Sequence, residues 1–218
     1  MFTGLIQETG EIASKERVAG QNRGSLTRIT IKAATIPSEL KTGDSVGVSG
    51  VCLTALDIGE HQFSADLAEE TLKRTSLQRL KAGSLVNLEL PAKAQDRMGG
   101  HVVQGHVDGV GSIISLQKIK FRDDWRLIVE LPPEHSRYVV PQGSITIEGI
   151  SLTVAGIDGR HVEIAIIPHT WQTTNLRELR DGDPVNIEVD VLAKYAEKMA
   201  HGRIQGKLTA AELIRLGF

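Results

Sequence analysis

The chain has 218 residues, which is enough for two domains of about 100 residues or for one larger domain. Its formal net charge is −2 with no polybasic stretch, which argues against nucleic acid or an anionic membrane surface as a partner. There is one cysteine and no zinc-binding spacing, no apolar run approaches the roughly 20 residues that cross a bilayer, and the start has no secretory pattern, so we expect a cytoplasmic protein without a disulfide or a metal.

The predicted elements are many short strands, with one short helix in each half of the chain. Alternation of apolar and polar residues predicts strands at 28–32, 46–48, 86–90, 145–148 and 185–189. The helical candidates are 69–80 and 170–179. Short strands between closely spaced turn signals indicate a small closed barrel, because closure removes exposed strand edges.

The end of the chain has a different pattern. Leu192, Tyr195, Ala196 and Met199 recur at helical spacing, and residues 209–212 have the form of a capping box in front of a second apolar stretch. This tail resembles nothing earlier in the chain. It could pack on the body or on another subunit, and we favour a subunit contact.

The two halves of the chain are copies of one unit. Residues 44–89 align without a gap with 143–188, an offset of 99 residues, as the pair Gly50 and Gly149 shows. The starts of the copies match at an offset of 101, which places Gly4 on Gly105. Such a long match indicates duplication. We predict domains at 1–100 and 101–197, called the first and second copy below, and a helical tail at 198–218.

Positions where the copies differ in chemistry indicate function. Three such pairs are Cys52 and Ser151, Glu70 and His169, and Leu5 and His106. The second copy therefore has a hydroxyl and two imidazoles where the first has a thiol, a carboxylate and an alkyl group. This predicts that the copies hold similar ligands in different chemical roles.

Each candidate also has a structural explanation. The explanations are a small buried side chain for Cys52, backbone hydrogen bonds for Ser151 and Thr153, and helix starts at Pro168-His169-Thr170 and Asp190. On a strand, His101 and His106 would face opposite sides because they lie five residues apart, so they form a poor metal pair. We favour His106 as the functional histidine.

A series of short motifs follows one another along residues 1 to about 198. These are Met1-Phe2-Thr3-Gly4, Gly50-Val51-Cys52-Leu53-Thr54, Glu70-Thr71-Leu72, Val86-Asn87-Leu88-Glu89, residues 99–106, Gly149-Ile150-Ser151-Leu152-Thr153, Ile167-Pro168-His169-Thr170 and Lys194-Tyr195. In kind, order and spacing they resemble the riboflavin synthase family. The resemblance implies an all-β fold: two tandem Greek-key six-stranded β-barrels related by internal duplication, plus a C-terminal α-helix through which a homotrimer forms.

The resemblance also implies an activity. Members of the family are transferases that move a four-carbon unit between two 6,7-dimethyl-8-ribityllumazine molecules, giving riboflavin and 5-amino-6-(D-ribitylamino)uracil without a cofactor. The active site is implied to form between the N-terminal barrel of one subunit and the C-terminal barrel of another. The alternative is a non-catalytic antenna protein that binds lumazine or flavin, and the second copy's residues favour the enzyme. An association with lumazine synthase is left open.

The implied substrate-binding residues follow from the motif positions. The first barrel's site would use Gly4, Leu5, Ile6, Asp66, Leu67, Ala68, Glu69, Glu70 and Thr71, with Gly105, His106 and Val107 of a neighbouring chain. The second barrel's site would use Ser151, Leu152, Thr153, Ile166, Ile167, Pro168, His169, Thr170 and Trp171, with Cys52, Leu53 and Thr54 across the interface. Which segment contacts which ligand stays open. Gln142 stands where the family often has lysine, and Glu148 where it often has aspartate, so the role of Gln142 is an open question.

The catalytic roles are hypotheses that build on the same resemblance. Ser151 would attack the acceptor lumazine or donate a hydrogen bond to it, with His106 and Asp190 as its proton partners. The supporting roles are ring placement by Thr153, assistance by Cys52, and ordering of the N-terminal segment by Phe2.

Overall fold

A computed structural model describes residues 1–19 and 25–205, so the predicted capping box at 209–212 lies outside the described residues. The first copy consists of β1 (Glu8–Ala19), β2 (Ser25–Lys32), α1 (Ile36–Glu39), β3 (Ser45–Val48), β4 (Val51–Thr54), β5 (Gln62–Leu67), α2 (Glu69–Arg74) and β6 (Leu85–Glu89). The second copy consists of β7 (Gly109–Lys118), β8 (Trp125–Glu130), β9 (Ser144–Ile147), β10 (Ile150–Asp158), β11 (His161–Ile166), α3 (Pro168–Thr173) and β12 (Pro184–Val189), and it is followed by α4 (Val191–Gln205).

Both copies form antiparallel six-stranded sheets with the same order of equivalent strands. The second copy is a closed barrel with the order β10-β11-β8-β7-β12-β9. The first copy has the order β4-β3-β6-β1-β2-β5, and its two edges meet through an isolated bridge between Leu56 and Ser64. The closure differs because β10 continues to Asp158 and pairs with β11, whereas β4 ends at Thr54. The predicted fold class is confirmed.

Each copy has its own hydrophobic core, built from the inward residues of alternating strands. Val46 and Val48 of β3 are fully buried, as are Ile145 and Ile147 at the equivalent positions of β9. Burying one such side chain contributes roughly 1.5–3 kcal/mol relative to leaving it exposed. The period-2 pattern in the sequence therefore identified the inner faces of both sheets.

The two helical candidates are each divided into a short α-helix and a 3₁₀ turn. After α2 the chain is extended at Thr75 and then turns at Ser76–Arg79, and after α3 it is extended at Thr174 and turns at Asn175–Glu178. Continuous helices over 69–80 and 170–179 were therefore a wrong prediction. The helices end because side chains of the opposite copy bind the backbone just beyond them.

Those side chains belong to Asn87 and Asn186, which are equivalent residues of the two copies. Asn186 Oδ1 accepts a hydrogen bond from the backbone of Ser76 at 2.6 Å, and Asn87 Oδ1 accepts one from the backbone of Asn175 at 2.7 Å. The side-chain NH₂ group of Asn186 donates to the Ser49 carbonyl and that of Asn87 donates to the Glu148 carbonyl, both at 2.8 Å. The copies are thus joined by a nearly symmetric network of buried polar groups.

The tail helix α4 starts at Val191, directly after β12 and seven residues before the predicted start of the tail at 198. The carboxylate of Asp190 accepts a hydrogen bond from the Leu192 backbone at 2.9 Å, which is the N-cap geometry considered for it in the sequence. The predicted helical spacing is confirmed. Leu192, Tyr195 and Met199 are 64%, 55% and 69% exposed, so this apolar stripe is not covered by the described part of its own chain.

Candidate active site

The loop that begins each copy lies across a strand of the other copy. The Gly4 carbonyl accepts a hydrogen bond from the Ser151 backbone at 2.8 Å, and the Gly105 carbonyl accepts one from the Cys52 backbone at 2.9 Å. Ile6 accordingly packs against the core of the second copy, and Val107 against that of the first. Within one chain, each candidate site therefore combines a loop from one copy with a strand from the other.

Within one chain this arrangement differs from the grouping that the sequence suggested for the ligand sites. Gly4–Ile6 was assigned to the first barrel's site, and Gly105–Val107 was to come from a neighbouring chain; instead each loop meets the opposite copy of its own chain. The contact is too close for a side chain on either glycine. A Cβ on Gly4 would lie 2.6 Å from Ser151 Cβ and one on Gly105 2.7 Å from Cys52 Cβ, and both glycines have positive φ, at 74° and 76°.

Ser151 is hydrogen-bonded to His101. The Ser151 Oγ lies 2.7 Å from His101 Nδ1, and His101 Nε2 lies 3.1 Å from the hydroxyl of Thr146. Burial lowers the pKa of His101, against a smaller opposite effect of the Asp190 charge. The imidazole is therefore held between two hydroxyls in an environment that favours its neutral form.

The predicted partner of Ser151 was His106, and the structure places His101 there instead. The His106 side chain is exposed, and its backbone donates to the Glu188 carboxylate at 3.0 Å. The alternation argument failed because residues 101–106 are not a regular strand: Val103 pairs with Phe2, and Gly105 turns the chain at positive φ. Asp190 caps α4 and acts on His101 only through its charge.

Phe2 anchors the start of the chain. Its backbone pairs with Val103 on both sides, at 2.7 and 3.1 Å, and its side chain is only 3% exposed. The ring lies over Gly47, the position equivalent to Thr146, where an added Cβ would be 3.3 Å from it. In the first copy the Phe2 ring therefore covers Gly47, whereas in the second copy His101 is bound to Thr146, the residue equivalent to Gly47.

The first copy's α2 segment is dominated by ion pairs. Arg28 binds Asp66 through two hydrogen bonds of 2.7 and 2.8 Å, and the hydrogen bond from Arg28 lowers the pKa of Asp66. Glu69 pairs with Lys73 at 2.8 Å on the exposed face of α2. Glu70 pairs in the same way with Arg74, at 3.4 Å. Asp66 would therefore face a ligand as an ionised carboxylate whose charge is balanced by Arg28.

The remaining predicted residues divide by burial. Leu53, Leu67, Leu152 and Ile166 direct their side chains into the cores, so they can offer a ligand only their backbone. The more accessible ones are Leu5, Thr54, Ala68, Thr71, Gln142, Thr153, Ile167, Pro168, His169 and Thr170, and Cys52 is half-buried. Gln142 sits in an exposed turn at positive φ, on the chain just before β9.

Both tryptophans of the chain lie in the second copy, Trp125 on β8 and Trp171 on α3. Trp171 stacks on Trp125 with ring centroids 4.5 Å apart and an interplanar angle of 9°, and the Lys118 ammonium lies 5.4 Å from the Trp125 ring. The first copy has Leu72 at the position equivalent to Trp171. The intrinsic tryptophan fluorescence therefore originates in the second copy.

Comparisons with known proteins agree on one family. A model of the lumazine binding domain matches residues 3–91 and 104–190, one match per copy. A curated riboflavin synthase of Actinobacillus pleuropneumoniae is 42% identical over 198 residues, covering 91% of this chain and 89% of that protein. One of Bacillus subtilis (strain 168) is 39% identical over 222 residues, covering 100% of both.

The chain belongs to the riboflavin synthase family. Solved structures share the fold as well. The crystal structure of LumP complexed with 6,7-dimethyl-8-(1'-D-ribityl) lumazine has a TM-score of 0.74 at 24% identity, covering 87% of this chain and 99% of that one. The complex of LumP with riboflavin has a TM-score of 0.76 at the same identity and coverage.

One cavity lies outside the residues that the family motifs assign to the ligands. It measures about 760 Å³ and is lined by the edges of β1, β2 and β5, with Lys32, His61 and Leu85 among its residues. None of the predicted site residues lines it. The candidate active site of this riboflavin synthase family member is therefore assigned from the crossing loops and the Ser151–His101 pair rather than from cavity volume.

Two general properties complete the description of residues 1–19 and 25–205. No group of three or more His, Cys, Asp or Glu side chains among them could hold a metal ion. No helix in this part of the chain has the length and apolar character needed to cross a membrane.

Acidification should destabilise the protein through His101. Burial puts the pKa of His101 in the folded chain below its ordinary value of 6.5, so the unfolded chain binds the proton first as the pH falls. The stability contributed by the neutral imidazole is thus present above pH 6.5 and is lost as the pH falls through the folded pKa. Denaturant unfolding between about pH 8 and pH 5 should show a shallower pH dependence for His101→Gln than for the unmodified chain. Equal slopes would contradict this.

Proposed function

We propose that the chain is a riboflavin synthase that converts two molecules of 6,7-dimethyl-8-ribityllumazine to riboflavin and 5-amino-6-(D-ribitylamino)uracil. The main support is that the lumazine binding domain matches both copies, and that curated riboflavin synthases are 39% and 42% identical to this chain over at least 91% of its length. The second copy also retains a Ser151 hydroxyl bonded to an imidazole. An enzyme that joins two identical ligands needs two similar sites with unequal chemistry, and the copies differ in this way.

The reaction requires that one lumazine lose a proton and the other become electrophilic. The C7 methyl group of lumazine is acidic because its anion delocalises into the ring, so the donor is deprotonated there. The acceptor is activated when an oxygen nucleophile adds at C7. Holding the two rings together can contribute roughly 7–11 kcal/mol at best, and general acid–base groups add about 10²–10⁴-fold.

We assign the acid–base chemistry at the acceptor to Ser151 and His101. In the tautomer whose Nε2–H donates to the Thr146 hydroxyl, His101 Nδ1 accepts the Ser151 hydroxyl hydrogen over 2.7 Å. The lowered pKa of His101 keeps this nitrogen free to accept a proton near neutral pH. His101 thus takes the role that the sequence suggested for His106, while Thr153 and Cys52 keep their proposed roles in ring placement and assistance.

The assembly is also a proposal. We infer a homotrimer that uses the exposed stripe of Leu192, Tyr195 and Met199 on α4, because an apolar helix face of this kind is typically covered in an assembly. The trimer would bring the first copy of one subunit opposite the second copy of another. A cytoplasmic location and an association with lumazine synthase stay predictions.

The antenna alternative is not favoured. The LumP structures share 24% identity with this chain, against 42% and 39% for the curated riboflavin synthases. An antenna protein would also have no use for the Ser151–His101 pair of the second copy.

The direct test is to incubate the purified protein with 6,7-dimethyl-8-ribityllumazine alone and to follow riboflavin fluorescence. We expect riboflavin to form without any added cofactor, with one riboflavin for every two lumazines consumed. Binding of lumazine without riboflavin formation, at one site per chain, would instead support the antenna protein and overturn the proposal.

A further inference from the structure

Two equivalent buried carboxylates hold the loops that begin the copies. Glu89 Oε1 accepts hydrogen bonds from the backbone and the hydroxyl of Thr3, both at 2.7 Å, and its Oε2 accepts one from the Gly4 backbone at 3.0 Å. Glu188 accepts hydrogen bonds from three consecutive backbone groups, those of Gln104 at 2.6 Å and of Gly105 and His106 at 3.0 Å. Each carboxylate therefore binds the loop of its own copy by three donors.

The described contacts of both carboxylates suit the ionised form. Every group that they accept from is an N–H or O–H donor, and Glu89 and Glu188 are only 5% and 2% exposed. Burial raises the pKa of both. Near Glu188 the negative Asp108 and the positive Lys194 oppose each other's effect, and these two residues pair at 2.6 Å. A buried acid with three charge-assisted hydrogen bonds holds a loop far more firmly than a surface contact does.

The held loops cross to the opposite copy. Glu89 lies at the end of β6 in the first copy, yet the loop it holds delivers Gly4 to Ser151 in the second. Glu188 lies on β12 in the second copy, yet its loop delivers Gly105 to Cys52 in the first. The carboxylates themselves do not touch Ser151 or Cys52 by any described hydrogen bond.

We propose that Glu89 and Glu188 are positioning residues that act crosswise, each fixing a loop of its own copy against the ligand site of the opposite copy. This inference deepens the proposed function and rests on it. It gives Glu89 of the first copy a role in ligand binding at the second copy, and Glu188 of the second copy a role in ligand binding at the first. Neither residue is among those that the family motifs placed in the sites.

The test compares Glu89→Gln and Glu188→Gln in the full-length protein by titration with riboflavin, the proposed product, because 6,7-dimethyl-8-ribityllumazine would be consumed during the titration. Glutamine keeps the size of the side chain but turns one acceptor into a donor that faces an N–H group, so the loop loses a hydrogen bond and a charge. Glu16→Gln, on the exposed face of β1, is the matched control.

Tryptophan fluorescence reads the second copy, through Trp125 and Trp171. A second reporter carries Trp125→Phe, Trp171→Phe and Leu72→Trp, which moves the signal to the equivalent position of the first copy. We expect Glu89→Gln to weaken the affinity seen by the native tryptophans about tenfold, and Glu188→Gln to weaken the affinity seen by Trp introduced at position 72 by a similar factor. Each substitution should leave the other reporter, and Glu16→Gln both reporters, within about twofold.

Two outcomes would overturn the inference while the unmodified protein still binds lumazine and forms riboflavin. One is that each substitution weakens the site of its own copy, and the other is that neither site changes. Should Glu89→Gln fail to fold, Thr3→Val removes one hydrogen bond to the carboxylate, together with the 3.3 Å hydrogen bond that the Thr3 hydroxyl accepts from the Leu5 backbone, and should shift the native signal in the same direction by about threefold. An unmodified protein that binds no lumazine would instead refute the proposed function.

Discussion

Ser151→Ala is expected to lower the rate of riboflavin formation by about two to four orders of magnitude. The substitution removes the hydroxyl that lies 2.7 Å from His101 Nδ1, and with it the group proposed to act on the acceptor lumazine. It leaves the backbone hydrogen bond from Ser151 to the Gly4 carbonyl in place, so the loop and the fold should persist. The measurement is kcat from riboflavin fluorescence, together with the affinity for lumazine.

The matched control is Cys52→Ala, since Cys52 is the equivalent residue of the first copy. Its thiol is half-buried and its backbone donates to Gly105 in the same way, so the two variants differ in chemistry and not in their place in the fold. We expect Cys52→Ala to lower the turnover by less than about tenfold. Full turnover of Ser151→Ala, or an equal loss in both variants, would refute the assigned role of Ser151.

Glu148→Ala is expected to lower the free energy of unfolding by about 3–5 kcal/mol. The Glu148 carboxylate is only 2% exposed and accepts hydrogen bonds from the Ser76 hydroxyl at 2.8 Å, the Asn186 backbone at 2.8 Å and the Asn175 side chain at 3.0 Å. Alanine would leave the Ser76 hydroxyl and the Asn186 backbone without this acceptor, and the Asn175 side chain with only its long contact to Ser49. Each unsatisfied buried group costs about 1–3 kcal/mol. Denaturant unfolding, followed by circular dichroism at neutral pH, measures the effect.

Ser49→Ala is the matched control, because Ser49 is the residue of the first copy equivalent to Glu148. Its hydroxyl accepts a single bond of 3.2 Å from the Asn87 backbone and a long contact of 3.5 Å from Asn175, so the loss should be about 1 kcal/mol. A loss no larger than that of Ser49→Ala would show that the network does not couple the copies.

Much of the architecture could be predicted from local patterns. The duplication follows from the ungapped match of 44–89 with 143–188, and the strands follow from period-2 alternation, because both are properties of neighbouring residues. The helical spacing of Leu192, Tyr195 and Met199 likewise predicted α4. These features depend on which face of an element is apolar, and the order of neighbouring residues in the sequence determines that face.

The helix ends could not be predicted in this way. Residues 69–80 and 170–179 have the composition of single helices, but the backbone groups of Ser76 and Asn175 are bound by asparagines of the opposite copy. Local propensity contributes only tenths of a kcal/mol per residue, so a buried hydrogen bond from elsewhere in the chain overrides it.

The sequence by itself determined the fold class, the duplication and the chemical difference between Cys52 and Ser151. Only the tertiary structure decided that the Gly4 loop meets Ser151, that the Gly105 loop meets Cys52, and that the imidazole bonded to Ser151 belongs to His101 rather than His106. The physical reason is that an internal repeat makes the two copies equivalent in pattern, whereas a contact between them depends on how the cores pack and on which buried carboxylate holds each loop.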